Sequence, residues 1–271
     1  MDSRLSGKTA LVTGSSKGIG KAIASELARC GARVIVHGRD AAVVQAAAEE
    51  IRQTGSAVYE VVGDATCDTE VAKIVERAQT ALGRIDILVN NAGGSSPSAE
   101  SWEDTKIDTW LSTLDSNVFA AVRFSKLLLP SMRAAKWGRV LNIASDAAIM
   151  PPATNPDYSA AKAAMLTMTS SMSKAVAADG VTVNALSPGT IRSAKLERKF
   201  REIAVLHASL PVDAPWSLVE RAVLPMVGGV PVGRVGELEE IAHVAAFLCS
   251  PAASYVTGVN LRVDGGMFSG I

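Results

Sequence analysis

The sequence predicts an α/β protein built on a doubly wound parallel sheet of about seven strands with helices on both faces. Three observations carry that expectation. Apolar runs of strand length alternate with helix-period segments along most of the 271 residues. The runs are continuous Val/Ile/Leu stretches, as expected for strands buried on both sides. A glycine-rich stretch, TGSSKGIG at 13–20, separates the first run from the first helical segment.

The first strand is TALVT (9–13), and KAIASELARCG (21–31) follows as a helix with Ile23, Leu27 and Cys30 on one face and Gly31 as its C-terminal stop. Further strands are RVIVH (33–37), AVYEVV (57–62), DILVN (86–90), GRVLNIAS (138–145), VTVNALS (181–187) and VNLRV (259–263). Asp40 and Asp68 are placed to cap the helices after the second and third strands. Two long helices are expected at roughly 106–134 and 156–178. Leu111, Leu114, Val118 and Val122 on one, and Met165, Met168 and Met172 on the other, spread beyond a single stripe and call for a second burial. Between Pro188 and Gly233 the alternation fails, but Phe200, Ile203, Trp216, Val223 and Leu224 mark 190–230 as a folded insert. The whole of 1–271 is expected to form one nucleotide-binding and catalytic domain, with that insert covering the substrate.

Lys plus Arg and Asp plus Glu both number 27, which gives no electrostatic reason to expect nucleic acid or an anionic membrane as partner. Cys30, Cys67 and Cys249 are far apart and form no CxxC, so a reduced intracellular protein is expected. MDSRLSGK at the start has no apolar signal core, and no uncharged stretch reaches the roughly 20 residues of a membrane span, which points to the cytoplasm. His37, His207 and His243 are scattered, so no metal site is expected.

A strand before TGSSKGIG and a helix after it make a phosphate site. Gly14 permits the sharp turn, Gly18 lets backbone approach a pyrophosphate, Gly20 lets the helix pack on the sheet, and the helix N-terminus faces the anion. The residue ending the second strand selects the cofactor, since an acid there accepts from a ribose 2′-OH and repels a 2′-phosphate. VIVHGRD (34–40) has Gly38 in that place and Arg39 after it, with Lys17 as a second cation in the glycine turn. NADP(H) is therefore favoured over NAD(H).

The spacing TGxxxGxG, with NNAG (90–93), Asn117, Ser145, YSAAK (158–162), PG (188–189) and VDGG (263–266) in this order, resembles the short-chain dehydrogenase/reductase family over nearly the whole chain. That resemblance implies a Rossmann-type fold and further cofactor contacts. They fall on Ser16 and Ile19 in the turn, Asp64 and Ala65 near the adenine, Asn91, Ala92 and Gly93 along the adenine ribose, and Pro188, Gly189 and Ile191 beside the nicotinamide. It also implies a homotetramer.

Tyr158 and Lys162 are i and i+4 on one helical face, where an ammonium would lower a phenol pKa of about 10 and make Tyr158 a general acid or base. Ser145 stands at the C-terminal end of the fifth strand, able to donate to a substrate carbonyl. By resemblance, Lys162 also holds the nicotinamide ribose, and Asn117 supports a water that links Lys162 to solvent. The expected activity is reduction of a ketone on an apolar or amphiphilic small molecule, or the reverse oxidation. DAAIMPPATNP (146–156) is one wall of the substrate site, with Arg192 and His207 at a polar end. The alternatives are a 3-oxoacyl reductase using an acyl carrier protein, met by Arg133, Lys136 and Arg139, and a nucleotide-sensing protein without turnover.

Overall fold

The structure is a computed structural model that describes residues 5–95 and 100–270. The expectation made on Met1 to Arg4, within the N-terminal stretch, lies outside the described residues. Seven parallel strands form one sheet: β1 (Thr9–Val12), β2 (Arg33–Gly38), β3 (Val58–Val62), β4 (Ile87–Asn90), β5 (Gly138–Ile143), β6 (Val181–Pro188) and β7 (Asn260–Val263). Their order is β3-β2-β1-β4-β5-β6-β7. Pairing starts at β1 and runs outward both ways, so the connection after β3 must cross to β4 on the other side. Loops leaving β1 and β4 therefore diverge and open a crevice at the C-terminal sheet edge, where ligands bind in such sheets.

Helices α1 (Gly18–Arg29), α2 (Ala41–Arg52) and α9 (Leu238–Cys249) pack on one face, with Ile23, Leu27, Val44 and Ile241 fully enclosed. On the other face, α3 (Asp68–Leu82) and α5 (Ala120–Ala134) bury Ile74, Phe124 and Leu128 against Leu11, Ile35 and Leu88. Two further helices, α4 (Ile107–Leu114) and α6 (Pro156–Val176), share a small cluster in which Leu114 and, just past α4, Val118 pack with Ala161 and Met165 of α6. Part of the apolar surplus read from the sequence is thus consumed inside the chain. Ile107, Leu111, Phe119 and Leu127 stay exposed.

One local expectation needs correction. Asp68 does not cap α3; it is the first helical residue, Cys67 is the N-cap, and the Asp68 carboxylate pairs with Arg123. The helix expected at 106–134 runs without a break from Ile107 to Ala134, with a π-helical turn, Asp115–Phe119, joining α4 to α5. Asp40 does cap α2, accepting the Val43 N–H at 3.1 Å.

The insert folds as two helices, α7 (Ala194–Ala208) and α8 (Trp216–Val223), around a small core of their own. Phe200, Ala204, Val219 and Val223 are enclosed there, and Phe200 stacks on Trp216 at 5.7 Å between ring centroids. Arg201 donates to the Ala214 carbonyl at 2.8 Å and closes the connection between the two helices. No helix among the described residues is long and apolar enough to cross a membrane.

Candidate active site

The turn after β1 needs its glycines for different reasons. Gly14 and Gly18 have φ of +62° and +57°, the left-handed region that favours glycine. Gly20 is selected by space: a Cβ there would stand 2.6 Å from the Gly14 carbonyl oxygen and run into the Asn91 side chain. Three ties then hold the turn. The Thr13 hydroxyl accepts the N–H groups of Asn91 and Ala92, both at 2.9 Å. Asn91 donates its side-chain amide to the Thr13 and Gly14 carbonyls at 2.9 and 3.0 Å. His37 Nδ1 accepts the Gly14 N–H at 3.1 Å, which leaves Nε2 to donate to the Gly63 carbonyl at 3.1 Å. Burial pushes this imidazole down to about 4, so it is neutral.

What the turn leaves open fits a dinucleotide phosphate. Lys17, the N-cap of α1, forms no side-chain cap, and no acid occupies the first helical turn, so the leading N–H groups face outward with the positive helix end. At Gly38 a Cβ would lie 2.8 Å from Val44 Cγ2 and 3.0 Å from Ser16 Oγ, so an acidic side chain has no room. Arg39 is exposed beside this point, and Asp40 is committed to its cap. Asp64 Oδ1 accepts the N–H and hydroxyl of Thr66 at 2.9 and 2.8 Å. Those bonds, with the charge of Arg39, hold its carboxyl below the usual range. Ala65 is buried beside it, and Ile19 packs on the core below the turn.

Asn117 lies inside the π turn and is fully enclosed. Its side chain donates to the carbonyls of Thr113 and Gly94 at 2.9 and 3.1 Å and accepts the Gly94 N–H at 3.0 Å. Gly93, with φ +130°, lies so close that a Cβ would strike Asn117 Oδ1. The asparagine thus clamps the loop after β4, a use for its side chain that the sequence did not suggest.

Ser145, Tyr158 and Lys162 converge at the C-terminal ends of β5 and α6's first turns. Asn155 in the left-handed region and Pro156 at the first helical position start α6 sharply, which sets Tyr158 in its opening turn and Lys162 one turn on. Lys162 is buried, donates to the Ile143 carbonyl at 2.8 Å, and lies 5.6 Å from the Tyr158 ring centroid. Desolvation pushes its pKa down to about 7. Burial raises Tyr158, and the charge of Asp146 adds to that, against a hydrogen bond with Ser145. The expected lowering of the phenol is therefore absent, because an amine enclosed without a carboxylate loses its own charge first. Ser145 spends its proton on Asp146 Oδ1 at 2.9 Å and accepts the Ala147 N–H at 3.2 Å.

Pro188, Gly189 and Ile191 stand at and just past the C-terminal end of β6. Pro188 ends β6 opposite Val263, and Gly189 passes so near Asp264 that a Cβ would lie 2.7 Å from its Cα. Ile191 turns into the core, 8% exposed. Arg192 is not a free polar end: it lies 3.4 Å from Glu197 and over the Trp216 ring at 4.7 Å. His207 is exposed near the end of α7. Of the basic cluster, Arg133 and Lys136 are exposed and Arg139 is not. Arg133 and Lys136 both pair with Asp179, at 2.6 and 2.5 Å, and Arg139 is buried on backbone carbonyls including Gly138 at 2.8 Å.

Sequence reasoning missed Thr13, His37 and Asp146, together with a buried relay that seats α6. Asn90 donates to Asn142 at 2.8 Å, and Asn142 donates to Thr169 at 2.8 Å. The asparagine of NNAG was a signal for the relay; Asn142 and Thr169 sit among apolar runs and gave none. No cluster able to hold a metal ion occurs among the described residues.

Comparison with known proteins agrees with this geometry. The family described as short chain dehydrogenase matches residues 8–204. The chain is 37% identical over 264 residues to the 3-oxoacyl-(acyl-carrier-protein) reductase of Pseudomonas aeruginosa, covering 97% of this chain and 98% of that one. It superposes on L-sorbose reductase from Gluconobacter frateurii, solved with NADPH and L-sorbose, with TM-score 0.92, 33% identity and full coverage of both chains. A gluconate 5-dehydrogenase from Burkholderia cenocepacia, in complex with NADP and tartrate, gives TM-score 0.85 at 29% identity, over 100% of this chain and 98% of that one.

Proposed function

Because the chain belongs to the short-chain dehydrogenase family, and is as such an oxidoreductase of CH–OH and C=O groups, we propose that it reduces the ketone of an apolar or amphiphilic small molecule with NADPH, or runs the reverse. The observation that carries this reading is the convergence of Ser145, Tyr158 and Lys162 on the crevice that begins at the glycine turn. One catalytic domain, 1–271, is proposed, with 190–230 covering the substrate. The three cysteines, far apart in the sequence and forming no CxxC, fit a cytoplasmic setting.

The turn at 13–20 and the α1 N-terminus would hold the pyrophosphate. Arg39 and Lys17 would clamp the 2′-phosphate, Asp64 and Ala65 would meet the adenine, and Asn91, Ala92 and Gly93 would line its ribose. Lys162 would hold the nicotinamide ribose, with Pro188, Gly189 and Ile191 beside the ring. When bound, the nicotinamide supplies or accepts the hydride. Tyr158, kept protonated by burial, gives its proton to the substrate oxygen in reduction. As the phenolate forms, its charge draws a proton back onto Lys162, so the buried pair never carries an uncompensated anion. Ser145 donates to the same oxygen once its hydroxyl rotates off Asp146. Asn117 keeps the β4 loop shaped and, in the π turn, opens a proton path from Lys162.

A second reading, a 3-oxoacyl thioester reductase, is favoured by the Pseudomonas aeruginosa relative. Two cations sharing one carboxylate, with Arg139 buried, leave a single net positive charge on the Arg133–Lys136–Asp179 patch, a thin surface for an acidic carrier protein. A nucleotide-sensing protein without turnover is disfavoured by the intact Asn117, Ser145, Tyr158 and Lys162. The exposed stripe Ile107, Leu111, Phe119 and Leu127 supports a homotetramer. The test is a titration of NADPH and NADH by cofactor fluorescence, wild type beside Arg39→Ala, then turnover of ketones and 3-oxoacyl thioesters followed near 340 nm. NADPH should bind more tightly, by about tenfold or more, and lose that margin in the variant. Equal NADH binding, or turnover confined to the thioesters, would overturn the reading.

A further inference from the structure

Asp146 follows Ser145 and takes no part in the chemistry above, yet its carboxyl belongs to the same cluster. The 3-10 turn Asp146–Ala148 folds it back, so that Oδ1 receives both the Ser145 hydroxyl at 2.9 Å and the Ala147 N–H at 2.7 Å. The other oxygen, Oδ2, accepts no hydrogen bond from the described residues and is not enclosed. The charged neighbour that bears on this carboxyl is Asp264, of its own sign, whose oxygens are held by the N–H groups of Gly266 and Phe268. Tyr158, from α6, feels the charge of Asp146 in turn. The serine, the tyrosine and an open carboxylate oxygen therefore share one space.

A carbonyl oxygen held between Ser145 and Tyr158 brings its flanking carbons to this carboxylate. A hydroxyl there forms a charge-assisted hydrogen bond. A methyl there strips water from Oδ2 and offers nothing in return. A carboxylate is repelled. Resting on the ketone-reductase reading, we infer that Asp146 is a specificity-determining residue: its Oδ2 accepts a hydrogen bond from a hydroxyl on the carbon next to the substrate carbonyl, so that hydroxyketones are preferred and 2-oxo acids rejected.

The test uses the NADPH-loaded enzyme and three substrates of one skeleton: 1-hydroxy-2-butanone, 2-butanone and 2-oxobutanoate. Wild type should favour the hydroxyketone over butanone by about tenfold or more in kcat/KM, and butanone over the oxo acid. In Asp146→Ala the first ratio should fall toward one. Asp146→Asn, which keeps an acceptor but no charge, should retain part of the first ratio and raise 2-oxobutanoate about tenfold relative to butanone. Thermal unfolding and an NADPH fluorescence titration of both variants show whether fold and cofactor site persist, and if the alanine variant does not fold the asparagine variant decides alone. An unchanged hydroxyl preference in the variants, or a wild type indifferent to the hydroxyl while active on ketones, overturns the role of Asp146 and spares the reductase reading. A wild type inactive on every ketone overturns both.

Discussion

The glycine turn and the Tyr158–Lys162 pair sit at the same edge of the sheet and are held by opposite means. Around the turn, Thr13, Asn91 and His37 are all neutral and spend their polar atoms on backbone groups. On α6, Lys162 is enclosed with the Ile143 carbonyl and the Met165 sulfur as partners and a pKa forced down to about 7. The binding surface proposed at the turn must keep its shape and gains from full pairing, whereas the proton-transfer pair proposed on α6 needs a group whose charge is easily changed. One region contributes stability; the other costs it.

The sharpest way to break that contrast is at the pair itself. Tyr158→Phe and Lys162→Met should each lower kcat/KM by about a thousandfold, measured at saturating NADPH. Lys162→Met should at the same time raise the melting temperature of the cofactor-free protein. The sign follows from linkage: with the folded pKa lowered from 10.5 to about 7, the unfolded chain binds the proton more tightly, and the penalty is nearly complete at pH 7. The gain, on the order of 5 kcal/mol at most, should shrink as pH rises toward 10.5. A variant no more stable than wild type at pH 7 would remove the contrast.

At the turn, Gly20→Ala drives a Cβ into Asn91 and the Gly14 carbonyl, and should cost roughly 2–4 kcal/mol by urea unfolding, with NADPH binding lost. Gly18→Ala meets open space and strains only φ, so about 1 kcal/mol is expected. Equal costs would mean that sterics and conformation do not divide the two glycines in this way.

His37 gives a pH signature. Its folded pKa is lowered from 6.5 to about 4, so its contribution is complete above 6.5 and is lost as pH falls from there toward 4, about 3 kcal/mol in all. In His37→Gln the new amide can accept and donate in the same directions without titrating. The variant should be the less stable at pH 7, and the gap should close by pH 4.5. The smallest effect is expected on the insert, where Leu206 is 74% exposed and Leu206→Ser should shift stability by under about 0.5 kcal/mol.

Much of this molecule is legible in its sequence. Each of the seven strands falls within one or two residues of its apolar run, because a strand buried on both faces leaves an unbroken signal. The cap at Asp40, the Gly14 and Gly20 requirements and the shared face of Tyr158 and Lys162 followed from local stereochemistry. Asp68 misled because a capping residue and a first-turn residue differ by one position and look alike in composition. Arg139 misled because β5 buries it, while Asp179, far along the chain, joins Arg133 and Lys136 only in the fold.

The sequence by itself determined the elements, the parallel sheet and the residues proposed for the chemistry, since periodicity, glycine stereochemistry and i, i+4 geometry are local. Tertiary structure decided which charges survive. Lys162 loses its proton readily, His37 stays neutral, Arg39 stays exposed beside Gly38, and Asp146 turns one oxygen to Ser145 and leaves the other open. Charge and hydrogen-bond state depend on the depth of burial and on partners from distant segments, which exist only once the chain has closed on itself.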